Sequence, residues 1–168
     1  MHKDTVYAEV GKAIELIQIA DRLFKSVLLL VFPGQEFNDL ENMNKNNKVL
    51  DNATLGKLIR LLKKRVVLND NFEAILTAYL TDRNSLVHNW NDIEGWEDES
   101  KAIEFIVRVQ KSAAYLFYTF TGFMRTWMEQ VGITEIDDQF PELEELFALI
   151  DADWKQLMHV FIKDIRST

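Results

Sequence analysis

The sequence predicts an all-α fold, an antiparallel bundle of about five helices, and three observations carry that prediction. Apolar residues recur every three or four positions through most of the chain and nowhere alternate as a half-buried strand would. Only 6 Gly and 2 Pro are present, too few for the turns of a loop-rich β domain. At 168 residues the length is that of one domain, read as 1–168, and 48% hydrophobic residues can build its core.

The first helix is marked by Val6, Val10, Ala13, Ile17, Ala20, Phe24, Val27 and Val31, one stripe at alternating spacings of three and four. Pro33-Gly34 stops it. The polar, Asn-rich stretch that follows, 35–53, reads as a loop, and its composition suits a mobile one. Leu55, Leu58, Ile59, Leu62 and Val66 give a short second helix with basic residues on its other side. Asp70 and Glu73 have the spacing of a capping box and open a third helix, through Phe72, Leu76 and Tyr79 toward Val87. Asn89–Glu97 reads as a loop. A fourth helix, from about Ser100 to about Val131, is apolar on more than one face and should be central. After a connection over Gly132–Phe140, Pro141 stands near the start of a fifth helix, with a stripe that runs from Leu143 through Trp154 and Phe161 to Ile165.

Composition narrows the function. With no Cys there is no disulfide, zinc ribbon or thiol nucleophile. The longest uncharged runs, Ser26–Gln35 and Ser112–Met124, fall short of the ~20 apolar residues of a membrane helix. Asp4, Glu9 and Glu15 are unlike a signal peptide. The expectation is a soluble cytoplasmic protein. Net charge is −8, against a large nucleic-acid surface, yet Lys45–Arg65 carries seven cations and one anion. Walker, dinucleotide and G-x-S-x-G motifs are absent, and no spacing suggests a metal site or other cofactor.

The anomaly lies on the third helix. At 100° per residue from Phe72, Leu76, Tyr79, Leu86 and Trp90 fall within about 40° of one line, and Arg83 stands at about +20°, where Leu would be expected. An Arg there needs an acidic or hydrogen-bonding partner, or must snorkel outward. Five residues on comes His88, and the segment reads Arg83-Asn84-Ser85-Leu86-Val87-His88.

These six residues resemble the R-x(4–6)-H motif of the HEPN superfamily, in its RN-xxx-H form. The resemblance implies a helical bundle and, as in many members, a metal-independent endoribonuclease of a toxin–antitoxin or anti-phage system. It implies that Arg83 stabilises the phosphorane, His88 does the proton work and Asn84 orients. It further implies a homodimer, since the family's sites look like composites across a two-fold axis, and a possible cognate antitoxin protein. Some relatives carry a modifiable Tyr two residues after the His. Here that position is Trp90, so control by tyrosine adenylylation is not expected.

The chemistry fits the residue types. RNA carries its own nucleophile, the 2′-hydroxyl, so cleavage needs proton transfers and stabilisation of charge on phosphorus. Imidazole titrates near neutrality, and guanidinium offers phosphate a fork of donors. Asn84 and His88 are i, i+4, which suits an amide that orients the ring. Arg83 and His88 lie about 140° apart, so on an uninterrupted helix the expectation is that they meet only through a bend or through two subunits. Lys57, Arg60 and Lys64 share a helix face and form a candidate RNA track, with Trp90, near Trp96, as a stacking surface. His2, His159, Asp151, Asp153 and the Glu142, Glu144 and Glu145 cluster read as ordinary surface or helix-end residues. The alternative is a non-catalytic helical binding module, an immunity-like or nucleotide-binding partner protein, which the acidic charge favours.

Overall fold

A computed structural model describes residues 2–32, 50, 52–90, 93, 95–132 and 161–165. Helices dominate: α1 (His2–Ser26), α2 (Leu55–Arg65), α3 (Asp70–His88) and α4 (Glu99–Gln130). Strands β1 (Val66–Leu68) and β2 (Ile162–Ile165) pair as an antiparallel ribbon. No helix among the described residues is long and apolar enough to cross a membrane.

The stripe of α1 buries Ala13, Ile17, Ala20 and Phe24 as the spacing predicts. The helix then widens into a π-helical turn over Val27–Val31, closed by Phe32 N–H donating to Val27 O at 3.0 Å. The carbonyls left at this end meet Arg65. Its Nη1 donates to Leu28 O at 2.6 Å and Phe32 O at 2.7 Å, and the residue is 5% exposed. One cation of the basic run is therefore an interior cap, held by the negative end of α1.

Thr54 caps α2, which buries Leu55, Leu58, Ile59 and Leu62. The expected capping box at Asp70 is corrected. Asn69 is the cap of α3, its Oδ1 accepting from Asn71 N at 3.0 Å, and Glu73 turns instead to Lys63 at 2.6 Å. Asp98 caps α4 by accepting from the N–H groups of Ser100 and Lys101. Three buried threonines of α4, Thr119, Thr121 and Thr126, satisfy their hydroxyls on carbonyls one turn back.

Side-chain pairs fix the helix directions. Lys63 meets Glu73 and Gly56 lies against Leu80, so α2 and α3 are antiparallel. Asp82 meets Arg108 and Phe72 meets Phe123, so α3 and α4 are antiparallel too. Gln110 donates to Glu9, while Phe24 stacks on Phe120 with centroids 4.5 Å apart, so α1 and α4 run parallel. The expectation of antiparallel neighbours holds for helices joined by short connections and fails for this pair, which is distant in sequence.

The second helix ends at Arg65, one residue short of the predicted stripe, and Val66 begins β1. Val66 faces Ile165, Val67 faces Asp164 and Leu68 faces Ile162, with an irregularity between Val67 and Leu68. Ile165 was expected on a fifth helix and lies in a strand. The β-branched pair Val66-Val67 favours extended backbone, and its polar groups need a second strand to satisfy them. The remainder of the predicted fifth helix and most of the 35–53 stretch fall outside the described residues.

Candidate functional site

Tyr79 and Arg83 follow one another on the face of α3 that meets α1. Tyr79 is buried and Arg83 nearly so. Opposite them α1 offers Asp21, set between Ile17 and Phe24 on the edge of its own buried stripe. Arg83 Nη2 donates to Asp21 Oδ2 at 3.1 Å, and the Tyr79 hydroxyl donates to Oδ1 at 3.4 Å. The two charged side chains are 20% and 18% exposed. A cation placed where Leu would be expected thus has a carboxylate to meet it, one of the outcomes its position allowed.

Electrostatics here are set by burial. Loss of water raises the Asp21 carboxyl above its ordinary value, opposed by the Arg83 charge and by hydrogen bonds from Arg83 and Tyr79. Burial, then the Asp21 charge, pushes the Tyr79 phenol far up, so it remains a permanent donor. Among the described residues Arg83 Nε is buried with no hydrogen-bond partner, and the polar contacts of this side chain run through its two terminal nitrogens.

The other nitrogen, Nη1, faces outward. It donates to Asn84 Oδ1 at 3.2 Å and lies 3.5 Å from His88 Nε2. A hydrogen bond to that ring nitrogen needs the tautomer with its proton on Nδ1. Arg83, Asn84 and His88 therefore meet within one chain, on an α3 that runs unbroken to His88. The expectation that they meet only through a bend or a second subunit is overturned. The long Arg side chain swings past Asn84, whose position at about 120° lies between Arg83 and His88. Asn84 spends its carbonyl on the guanidinium rather than on the imidazole. His88, the last residue of the helix, is exposed.

Lys57, Arg60 and Lys64 are all exposed on the outer face of α2. Arg60 Nε bonds back to Gly56 O at 3.3 Å. Because Gly56 abuts Leu80 and Lys63 abuts Glu73, Lys57 lies at the Arg83 end of α3 and Lys64 at the far end. The expected run of surface cations is thinned by Arg65, which is interior, and by Lys63, which is paired. Trp90 lies in the turn after α3, 38% exposed, its ring edge-to-face with Trp96 at 5.5 Å.

Between the end of α3 and the start of α4, Ser85, Asn89, Lys101, Glu104 and Arg108, with the apolar Ile93 and Phe105, line an open groove of about 660 Å³. Arg108 is held there by both oxygens of Asp82, at 2.9 and 3.2 Å. Among the described residues no three His, Asp or Glu side chains gather as metal ligands. His159, Asp151, Asp153, the Glu142–Glu145 cluster and the side chain of His2 lie outside the described residues.

Sequence reasoning missed Asp21 and Tyr79. Asp21 had a signal: it lies four residues after Ile17 and three before Phe24, a carboxylate on an apolar seam, matching the Arg on the seam of α3. Compared with protein-family models, with curated proteins and with solved structures, the chain matches none.

Proposed function

We propose that this chain is a metal-independent endoribonuclease of HEPN type, acting as a toxin or in defence against phage. The observation that carries the reading is the reach of Arg83. One terminal nitrogen is fixed by Asp21, while the other is offered, beside Asn84 and His88, at an exposed helix end.

In this reading a scissile phosphate displaces His88 as the acceptor of Arg83 Nη1. The imidazole Nε2 is then free to take the proton of the 2′-hydroxyl. The 2′-oxygen attacks phosphorus, and the bond to the 5′-oxygen breaks as that oxygen receives a proton from an imidazolium. The products are a 2′,3′-cyclic phosphate and a 5′-hydroxyl. Arg83 stabilises the added charge on phosphorus, and Asp21 keeps the guanidinium aimed. Lys57 and Arg60, with Lys101 on the other side, hold flanking phosphates. A homodimer would set two such clusters near one axis and supply base and acid from separate subunits. A cognate antitoxin would bind over the exposed end.

Cleavage of RNA in the presence of a chelator tests this. His88→Ala and Arg83→Ala should each lower the rate by roughly 10²–10⁴-fold. Unchanged cleavage in both variants rejects the site. The non-catalytic module is the second reading, favoured by the ion pair that already occupies Arg83 and by the −8 charge. It expects no cleavage by the unaltered chain and tight binding to a basic partner.

A further inference from the structure

Beyond the Arg83–Asp21 pair, the seam between α1 and α3 opens. Tyr7, Val10 and Ile14 of α1 face Val87 and Trp90, and Trp96 closes the end of a groove of about 200 Å³. Almost nothing polar lines it. Tyr7 is 54% exposed, and Val87 and Trp90 are also open to solvent. Trp90 is not a loose side chain. Its ring rests against Trp96, which packs on the core, and the turn is tied by backbone bonds from Ile93 N to Trp90 O and from Trp96 N to Ile93 O.

Position distinguishes this groove from an ordinary surface dimple. Val87 is i, i+4 from Arg83, about 6 Å along the helix axis, and Trp90 follows in the next turn. On α1, Ile14 lies two turns before Asp21, and the two helices are antiparallel here. The groove thus continues the line of the cation cluster, beginning about one helical turn beyond Arg83. Its size admits one planar ring system. A partner helix would need several anchors along a longer trough, and a second copy of the chain would need far more buried surface than one such opening.

We propose that this groove receives an unpaired nucleobase of single-stranded RNA, stacked on Trp90 beside Tyr7, next to the phosphate held by Arg83. The proposal rests on the ribonuclease reading and deepens it. A paired base cannot enter, so the substrate is single-stranded. Apart from the Tyr7 hydroxyl and the indole N–H groups of Trp90 and Trp96 the walls are apolar, so the subsite selects more by stacking area, which favours purines, than by base identity.

The test uses the full chain, a fluorescein-labelled oligoadenylate of about ten nucleotides, and copies of it with a single abasic site. Binding is read by anisotropy in the His88→Ala background, so that the probe survives. Trp90→Leu should weaken binding about five- to a hundred-fold, Trp90→Phe should retain most of it, and Tyr7→Ala should lie between. The most damaging abasic position should cost the parent a similar factor and cost Trp90→Leu nothing further. With His88 restored, the loss should fall on KM rather than on kcat.

If Trp90→Leu and Tyr7→Ala bind and cleave as their parents do while His88→Ala abolishes cleavage, the groove assignment is overturned and the nuclease stands. Loss of a dimer in Trp90→Leu with RNA affinity intact also overturns it, in favour of a subunit contact. RNA neither bound nor cut by the unaltered chain overturns both.

Discussion

Asp21 and Arg83 do not share their burden equally. Asp21 holds its proton more tightly in the folded chain than in the unfolded one. Its stabilising contribution is therefore full below the ordinary value of 3.8 and is lost as pH rises through the raised folded value. Asp21→Asn fixes the neutral shape and should flatten that part of the stability–pH curve, at little cost near neutrality. Arg83→Met removes the larger of the two cationic influences on Asp21, leaving the weaker one of Lys25, and should cost about 1–3 kcal/mol at about pH 8, with a smaller loss at about pH 4. Denaturant melts of the three proteins across this range would show it. A steeper loss for Arg83→Met at acid pH than at alkaline pH would contradict the account.

At the scale of elements, the helices are written in their stripes, and the junctions are not. Ala13, Ile17, Phe24, Leu58, Leu62, Phe72, Leu76, Ile106 and Leu116 are all buried where their spacing puts them. The oddity of Arg83 was legible for the same reason, since it interrupts a regular pattern. Its partner was less so, because a contact between Asp21 and Arg83 joins residues 62 apart, and local periodicity carries no such pairing. The ribbon escaped notice on similar grounds: three residues of β1 find their partners nearly a hundred positions later. The caps show a finer limit. Asn69 and Asp70 are both good cap residues, and only the backbone of Asn69, extended at φ −67° and ψ 142°, decides between them. Asn69→Ala should cost about 1 kcal/mol, and Asp70→Ala less. Gly95 makes a sharper case. Its φ of 77° is left-handed, and an added Cβ would come within 2.6 Å of Lys101. Gly95→Ala should destabilise by about 1–2 kcal/mol and loosen the turn that carries Trp90, read as a change in tryptophan emission.

Across the whole molecule, an acidic protein must concentrate what positive charge it offers a nucleic acid. Of the seven cations between Lys45 and Arg65, Lys45 and Lys48 lie outside the described residues, Arg65 is interior, Lys63 is paired, and Lys57, Arg60 and Lys64 are exposed on α2. Single-stranded RNA binding should then show a shallow salt dependence, with log K falling at about −0.7 per phosphate neutralised. Replacing Lys57 and Arg60 together by Ala should reduce the slope by about 1.4. An unchanged slope, measured by titrations at several salt concentrations, would move the track elsewhere.

The ribbon bears on how the chain reaches this state. Helices α1 to α4 pack on one another and, through Phe72, Tyr115 and Phe123, on Phe161, whereas β1 pairs with β2 nearly a hundred residues later. Val66 and Leu68 are both buried, and the strand they belong to finds its hydrogen-bonding partner in that segment. Closing that strand edge is a long-range event, of the kind whose loop-closure entropy is spent before the contact rewards the chain.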